Sequence, residues 1–137
     1  MKEAVLKEFF MGRASATELA DDLEGSKKRT GQDVFSISVE DIKEEFHIEP
    51  PHLISVCDAF LKEKINEENI EVIGFALMAS DTFTWDNKTE EGNRIEETAN
   101  CWASPRINYT INKTTMKKFA LLLKTGEDLF EREDLNS

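Results

Sequence analysis

The apolar positions of the chain fall mostly at helical spacing. Val5, Leu6, Phe9 and Phe10 repeat at i, i+1, i+4 and i+5, which is one face of a short helix that Gly12 can end. Ser15-Ala16-Thr17-Glu18 reads as a capping box, in which hydroxyl and carboxylate each satisfy a free amide of an opening turn. A second helix is therefore predicted from Ala16 to about Glu24, with Leu19 and Leu23 inward. Pro50-Pro51 has no amide donors to waste and opens a third, to which Leu53, Val56, Cys57, Phe60 and Leu61 give one apolar stripe ending near Lys64. Asn66 caps a fourth, with Glu67 and Glu68 in its first turn where the helix dipole favours negative charge. From Ile70 to Ala79 nearly every residue is apolar or glycine, which predicts a helix buried all round at the centre of the core. Thr89 caps a fifth helix through Ile95, Thr98, Ala99 and Trp102, ended by Ser104-Pro105. Asn112 caps a sixth through Met116, Phe119, Ala120 and Leu123, which stops at Gly126.

The pattern between these helices is weaker. Residues 25–32 contain two glycines and no apolar residue, which predicts an exposed, mobile loop. Val34, Ile37 and Val39 with interleaved Ser36 and Ser38 suggest a short strand, while Val39, Ile42 and Phe46 equally fit the start of a helix. Ile107 to Ile111 reads as extended, with Ile107 and Tyr109 inward, Asn108 outward and Tyr109 largely buried. The expected fold is mainly α, a bundle-like array of five or six helices in one domain over residues 1–126. It leaves room for one short two-stranded pairing, between residues 34–39 and 107–111. Residues 127–137 form an acidic C-terminal tail, with Leu129 and Phe130 among acids, that either docks or frays.

Composition agrees with a folded domain, since 39% of the 137 residues are hydrophobic and nine are Phe. The net charge of −11 changes the picture more through its distribution than its size. Residues 40–71 carry ten acids against three lysines, whereas residues 105–126 carry five bases and no acid, so opposite faces are expected. A field of this sign repels nucleic acid and anionic membrane and steers in a basic protein partner. The same charge is also explained by solubility alone. With no signal-peptide core and no apolar run of about 18 residues, the expected location is cytoplasmic. Cys57 and Cys101 sit among apolar residues and are expected to be buried free thiols.

Candidate chemistry is sparse. Glu40, Asp41, Glu44, Glu45 and His47 crowd one segment, and Glu44 with His47 has the Glu-x-x-His spacing of di-iron bundles. Such a site needs two copies, and the chain has one, so no metal or other cofactor is expected. The two histidines, at 47 and 52, lack a nucleophile motif or a Gly-rich phosphate loop, so no catalytic residue is assigned. Asp81-Thr82-Phe83-Thr84-Trp85-Asp86 is more distinctive, because acids flank two aromatics just past the apolar helix, as at a protein interface or at the edge of a core. The candidate partner-binding residues are Asp41, Glu44, Glu45, Asp81, Trp85 and Asp86.

Trp102-Ala103-Ser104-Pro105-Arg106-Ile107-Asn108-Tyr109 resembles a segment of a group of small acidic bacterial proteins of immunity-protein type. A weaker likeness extends to residues 53–59 and 74–81. Members of the group usually follow the tyrosine with proline, where this chain has Thr110. The resemblance implies a helical fold and, for part of the group, neutralisation of toxins; it assigns no residue a role. The resulting expectation is a non-enzymatic acidic protein-binding domain, in its sharpest form an immunity-type inhibitor of a basic toxin domain. The alternatives are a small metal- or carboxylate-dependent enzyme and a structural or regulatory subunit.

Overall fold

The capping residues place the helix starts. In the computed structural model, which describes residues 1–31 and 34–136, six α-helices form: α1 (Glu3–Phe10), α2 (Ala16–Leu23), α3 (Pro50–Leu61), α4 (Glu67–Ala79), α5 (Glu90–Ala103) and α6 (Lys113–Thr125). Ser15 Oγ accepts from the Glu18 N–H at 3.1 Å while Glu18 Oε1 accepts from the Ser15 N–H at 3.3 Å. Asn66 and Asn69 exchange the same reciprocal bonds at 2.9 Å each, and Thr89 Oγ1 accepts from the Gly92 N–H at 3.0 Å. Gly126 ends α6 at φ 80°, a left-handed position that favours glycine. None of the helices among the described residues is long and apolar enough to cross a membrane.

The strands depart from the sequence reading. Among the described residues there are two short two-stranded sheets where the sequence left room for one: β1 (Lys27–Gly31) pairs antiparallel with β2 (Val34–Ile37), and β3 (Phe46–His47) pairs parallel with β4 (Phe83–Thr84). The polar stretch read as a loop is thus a strand as far as Gly31, with Ser26 buried at its start; Gln32 lies outside the described residues. Residues 34–37 take the strand alternative. Their partner is β1 rather than residues 107–111, because Pro105–Ile107 turns as a 3-10 helix and Tyr109 bridges to Leu135 of the tail. Ile107 consequently points outward at 82% exposure, and Tyr109 is half-buried. The tail docks: Phe130 stacks on Tyr109 at 4.1 Å between centroids, and Asp134 accepts from Lys118 at 2.5 Å.

The core is continuous from α1 to α6. α4 packs along α5 and α3 along α6. Ile70, Ile73 and Leu77 are buried as expected, but α4 is not buried all round: Phe75 and Met78 are 38% and 41% exposed. The other side of α4 meets α5 at backbone distance. A Cβ built on Gly74 would lie 2.4 Å from the Ala103 amide nitrogen and 2.6 Å from the Trp102 carbonyl carbon. Only glycine fits there, and that approach lets the fully buried Trp102 meet Phe119 of α6 edge-on at 6.0 Å. Gly74→Ala is therefore expected to cost about 1–3 kcal/mol by forcing the helices apart. Chemical denaturation checks it; a variant as stable as the parent would mean that α4 does not rest on α5 in this way.

Candidate functional site

The six candidate residues lie in two segments far apart in sequence, and the β3–β4 pair sets those segments side by side. Phe46 N–H donates to Thr82 O at 2.7 Å and Ile48 N–H to Thr84 O at 2.8 Å. Glu44 and Glu45 thus enter the pair beside Asp81, and Glu49 leaves it beside Trp85 and Asp86. Apolar residues hold the pair down from below. Phe83 is buried, and Phe10 at the end of α1 stacks on Phe46 at 6.1 Å and meets Phe83 edge-on at 5.9 Å. Phe83 is thereby spent on the core, and of the two aromatics only the half-buried Trp85 remains for a partner.

The candidate acids are free of that constraint. Asp41, Glu44, Glu45, Asp81 and Asp86 are all exposed. Glu44 is paired with Lys7 of α1 at 3.0 Å, so part of its charge is already used. Trp85 and Asp86 line a cleft of about 610 Å³ together with His47, Glu49, Glu90 and Glu91. Glu90 and Glu91 were missed by the sequence reading. The Thr89 cap puts them in the first turn of α5, but no local pattern announces that this turn folds back beside β3. The loop before it is held tightly, since a Cβ on Gly92 would fall 1.8 Å from the Asp86 carbonyl oxygen. The basic stretch 105–126 is less free than its composition suggests, with Lys113 paired to Glu63 at 3.0 Å and Lys118 to Asp134.

Among the described residues, no three His, Cys, Asp or Glu side chains converge to hold a metal ion, and Glu40, Asp41, Glu44, Glu45 and His47 are spread along the irregular segment that leads into β3. Cys57 and Cys101 are free and buried. Burial, with help from Glu97, pushes the Cys101 thiol up to about 11, and burial raises Cys57 further, so neither is a thiolate at neutral pH. Comparison with protein-family models, with curated proteins and with solved structures finds no match to this chain.

His52 is the one half-buried histidine beside the site. Its Nδ1 accepts from the Glu49 N–H at 2.9 Å, and its ring lies 5.0 Å from Phe46 and 5.5 Å from Phe10. Burial among those rings lowers its pKa from 6.5, with Glu49 opposing and His47 adding to the shift. The fold thus prefers the neutral ring. As pH falls below 6.5 the unfolded chain takes up the proton first, so stability declines from there down to the depressed folded value. We expect the His52 ring resonances to titrate with a midpoint below 6.5, and His52→Asn, which keeps an acceptor, to flatten that part of the pH–stability curve. A midpoint at or above 6.5 contradicts the assignment.

Proposed function

We propose that this protein is a non-enzymatic, acidic protein-binding domain that docks a basic protein partner on the face around β3 and β4. One observation carries the reading: the parallel β3–β4 pair sets the 44–49 and 81–86 segments side by side, and Glu49, Asp86, Glu90 and Glu91 line one cleft with the half-buried Trp85. Charge of this kind acts mainly on the approach of the partner, and an aromatic anchor acts on the lifetime of the complex. The likeness of Trp102-to-Tyr109 to immunity-type proteins supports a specific form of the reading, an inhibitor of a basic toxin domain. That segment itself serves the scaffold, because Trp102 lies in the core and Tyr109 packs under the docked tail. The proposed setting is the cytoplasm, and a net charge of −11 argues against nucleic acid or anionic membrane as the partner.

The test is binding to the purified product of the neighbouring gene, where the target of an inhibitor is normally encoded, at two salt concentrations. The association rate is expected to fall about tenfold or more between low and physiological salt. Asp81→Asn with Asp86→Asn should slow association, and Trp85→Ala should speed dissociation with little effect on association. Absence of a complex, or an association rate indifferent to salt, overturns the reading and leaves the acids as a solubility device.

A further inference from the structure

A groove of about 710 Å³ lies at the opposite end of α3 and α4 from the β3–β4 pair. Four helices meet there, α2 and α3 with their C-terminal ends and α4 and α6 with their first turns. Its apolar lining is Ile65 and Ile111, both 5% exposed, together with the half-buried Ala20 and Phe60. Exposed Asp21, Glu24, Glu63, Glu67 and Glu68 line it too, so the groove opens to solvent between them.

Several of those acids stand where the local fold does not ask for a carboxylate. α2 has Asp21 and Asp22 in its last turn, Glu24 at its C-cap and no basic residue, although negative charge there opposes the helix dipole. Glu63, two residues past the end of α3, has φ 61°, a left-handed position that favours glycine. Only Glu67 and Glu68 suit their places, in the first turn of α4 behind the Asn66 cap. Asp21, Glu24, Glu67 and Glu68 form no ion pair among the described residues. The lysines lining the groove are Lys64 and Lys113, and Lys113 is tied to Glu63 at 3.0 Å. The rim is therefore negative on balance around an apolar lining. Residues that break a local preference without serving the fold are expected where a chain meets a partner.

We infer that this groove docks a short basic segment of another protein, with an apolar side chain seated against Phe60 and Ala20 and flanking lysines or arginines facing the rim acids. Charge decides the occupant. A second copy of this chain would bring a net charge of −11 to a negative rim, whereas a basic segment is drawn to it. A space of this size seats a few side chains, so the segment is short. The inference does not rest on the docking face around β3 and β4, and the two stand or fall separately.

The probe is a capped peptide with a leucine–phenylalanine pair between pairs of lysines, followed by amide chemical shifts of the whole protein. It should shift the amides of Phe60, Ile65 and Ile111 together and saturably. The same peptide with glutamates for the lysines should not bind, and with serines for the apolar pair it should bind about tenfold more weakly or worse. Asp21→Asn with Glu24→Gln should weaken the lysine peptide about tenfold at low salt, while leaving the Tm of the protein unchanged or raised, because those acids oppose the dipole of α2. A purely structural role for them predicts the reverse, a lower Tm with unchanged binding. No saturable shift, equal binding of the serine peptide, shifts centred on Trp85 and Asp86, or unchanged affinity in the double variant each overturn the inference and leave the rim acids as solubilising charge.

Discussion

A buried carboxylate on the first residue of α1 holds together the three segments from which the acidic face is built. The Glu3 N–H donates to Glu40 O at 2.9 Å, and its Oε1 accepts from Ile42 and Thr82, so α1, the 40–42 segment and the 80–82 segment meet at one residue. Phe83, the first residue of β4, follows Thr82 directly, and Phe46, the first of β3, lies four residues past Ile42. The other end of α1 completes the arrangement, because Phe10 packs against both of those rings. A helix of eight residues thus clamps the strand pair at each of its ends. Removing the carboxylate would strand the part-buried Ile42 amide, a penalty of about 1–3 kcal/mol, while the Thr82 hydroxyl would keep Ile42 O as an acceptor at 3.1 Å.

The charges divide into those the fold consumes and those it leaves over. Lys7 takes Glu44, Lys27 takes Glu71, Lys113 takes Glu63 and Lys118 takes Asp134. The Lys118–Asp134 bond raises the lysine and lowers the aspartate from their ordinary values, and it fastens the acidic tail over the basic helix. The expected contrast of opposite faces is blunted on the basic side by that docking. On the acidic side Glu45, Glu49, Asp81, Asp86 and Glu91 form no ion pair among the described residues. Exposed pairs contribute little to stability, about 0–1 kcal/mol, so the unpaired acids cost the fold little by going without partners.

Helices were legible because their signals are local. Ser15, Asn66, Thr89 and Asn112 each bond an amide three residues on, and the apolar stripes behind them need no knowledge of the rest of the chain. The strands were not legible for the opposite reason. β1 begins with Lys27 and Lys28 and shows no alternation, while β3 and β4 are two residues each and exist only through a partner far along the chain. The candidate acids and Trp85 could be picked out by type, but their adjacency to Glu90 and Glu91 depends on how α5 folds back. Glu3 was hidden most completely. An acid in the first turn of a helix normally complements the dipole in solvent, and no neighbouring residue signals that Ile42 and Thr82 will close over it.

Amide hydrogen exchange in Glu3→Ala tests the central claim directly, because the claim is local. The account predicts that the amides of Ile42, Phe46 and Ile48 lose protection together, while those in the middle of α4 and α5 keep theirs apart from any shared global loss. Unchanged protection at Phe46 and Ile48, or a uniform loss across every helix, would contradict the view that one buried carboxylate holds the two halves of the acidic face in register.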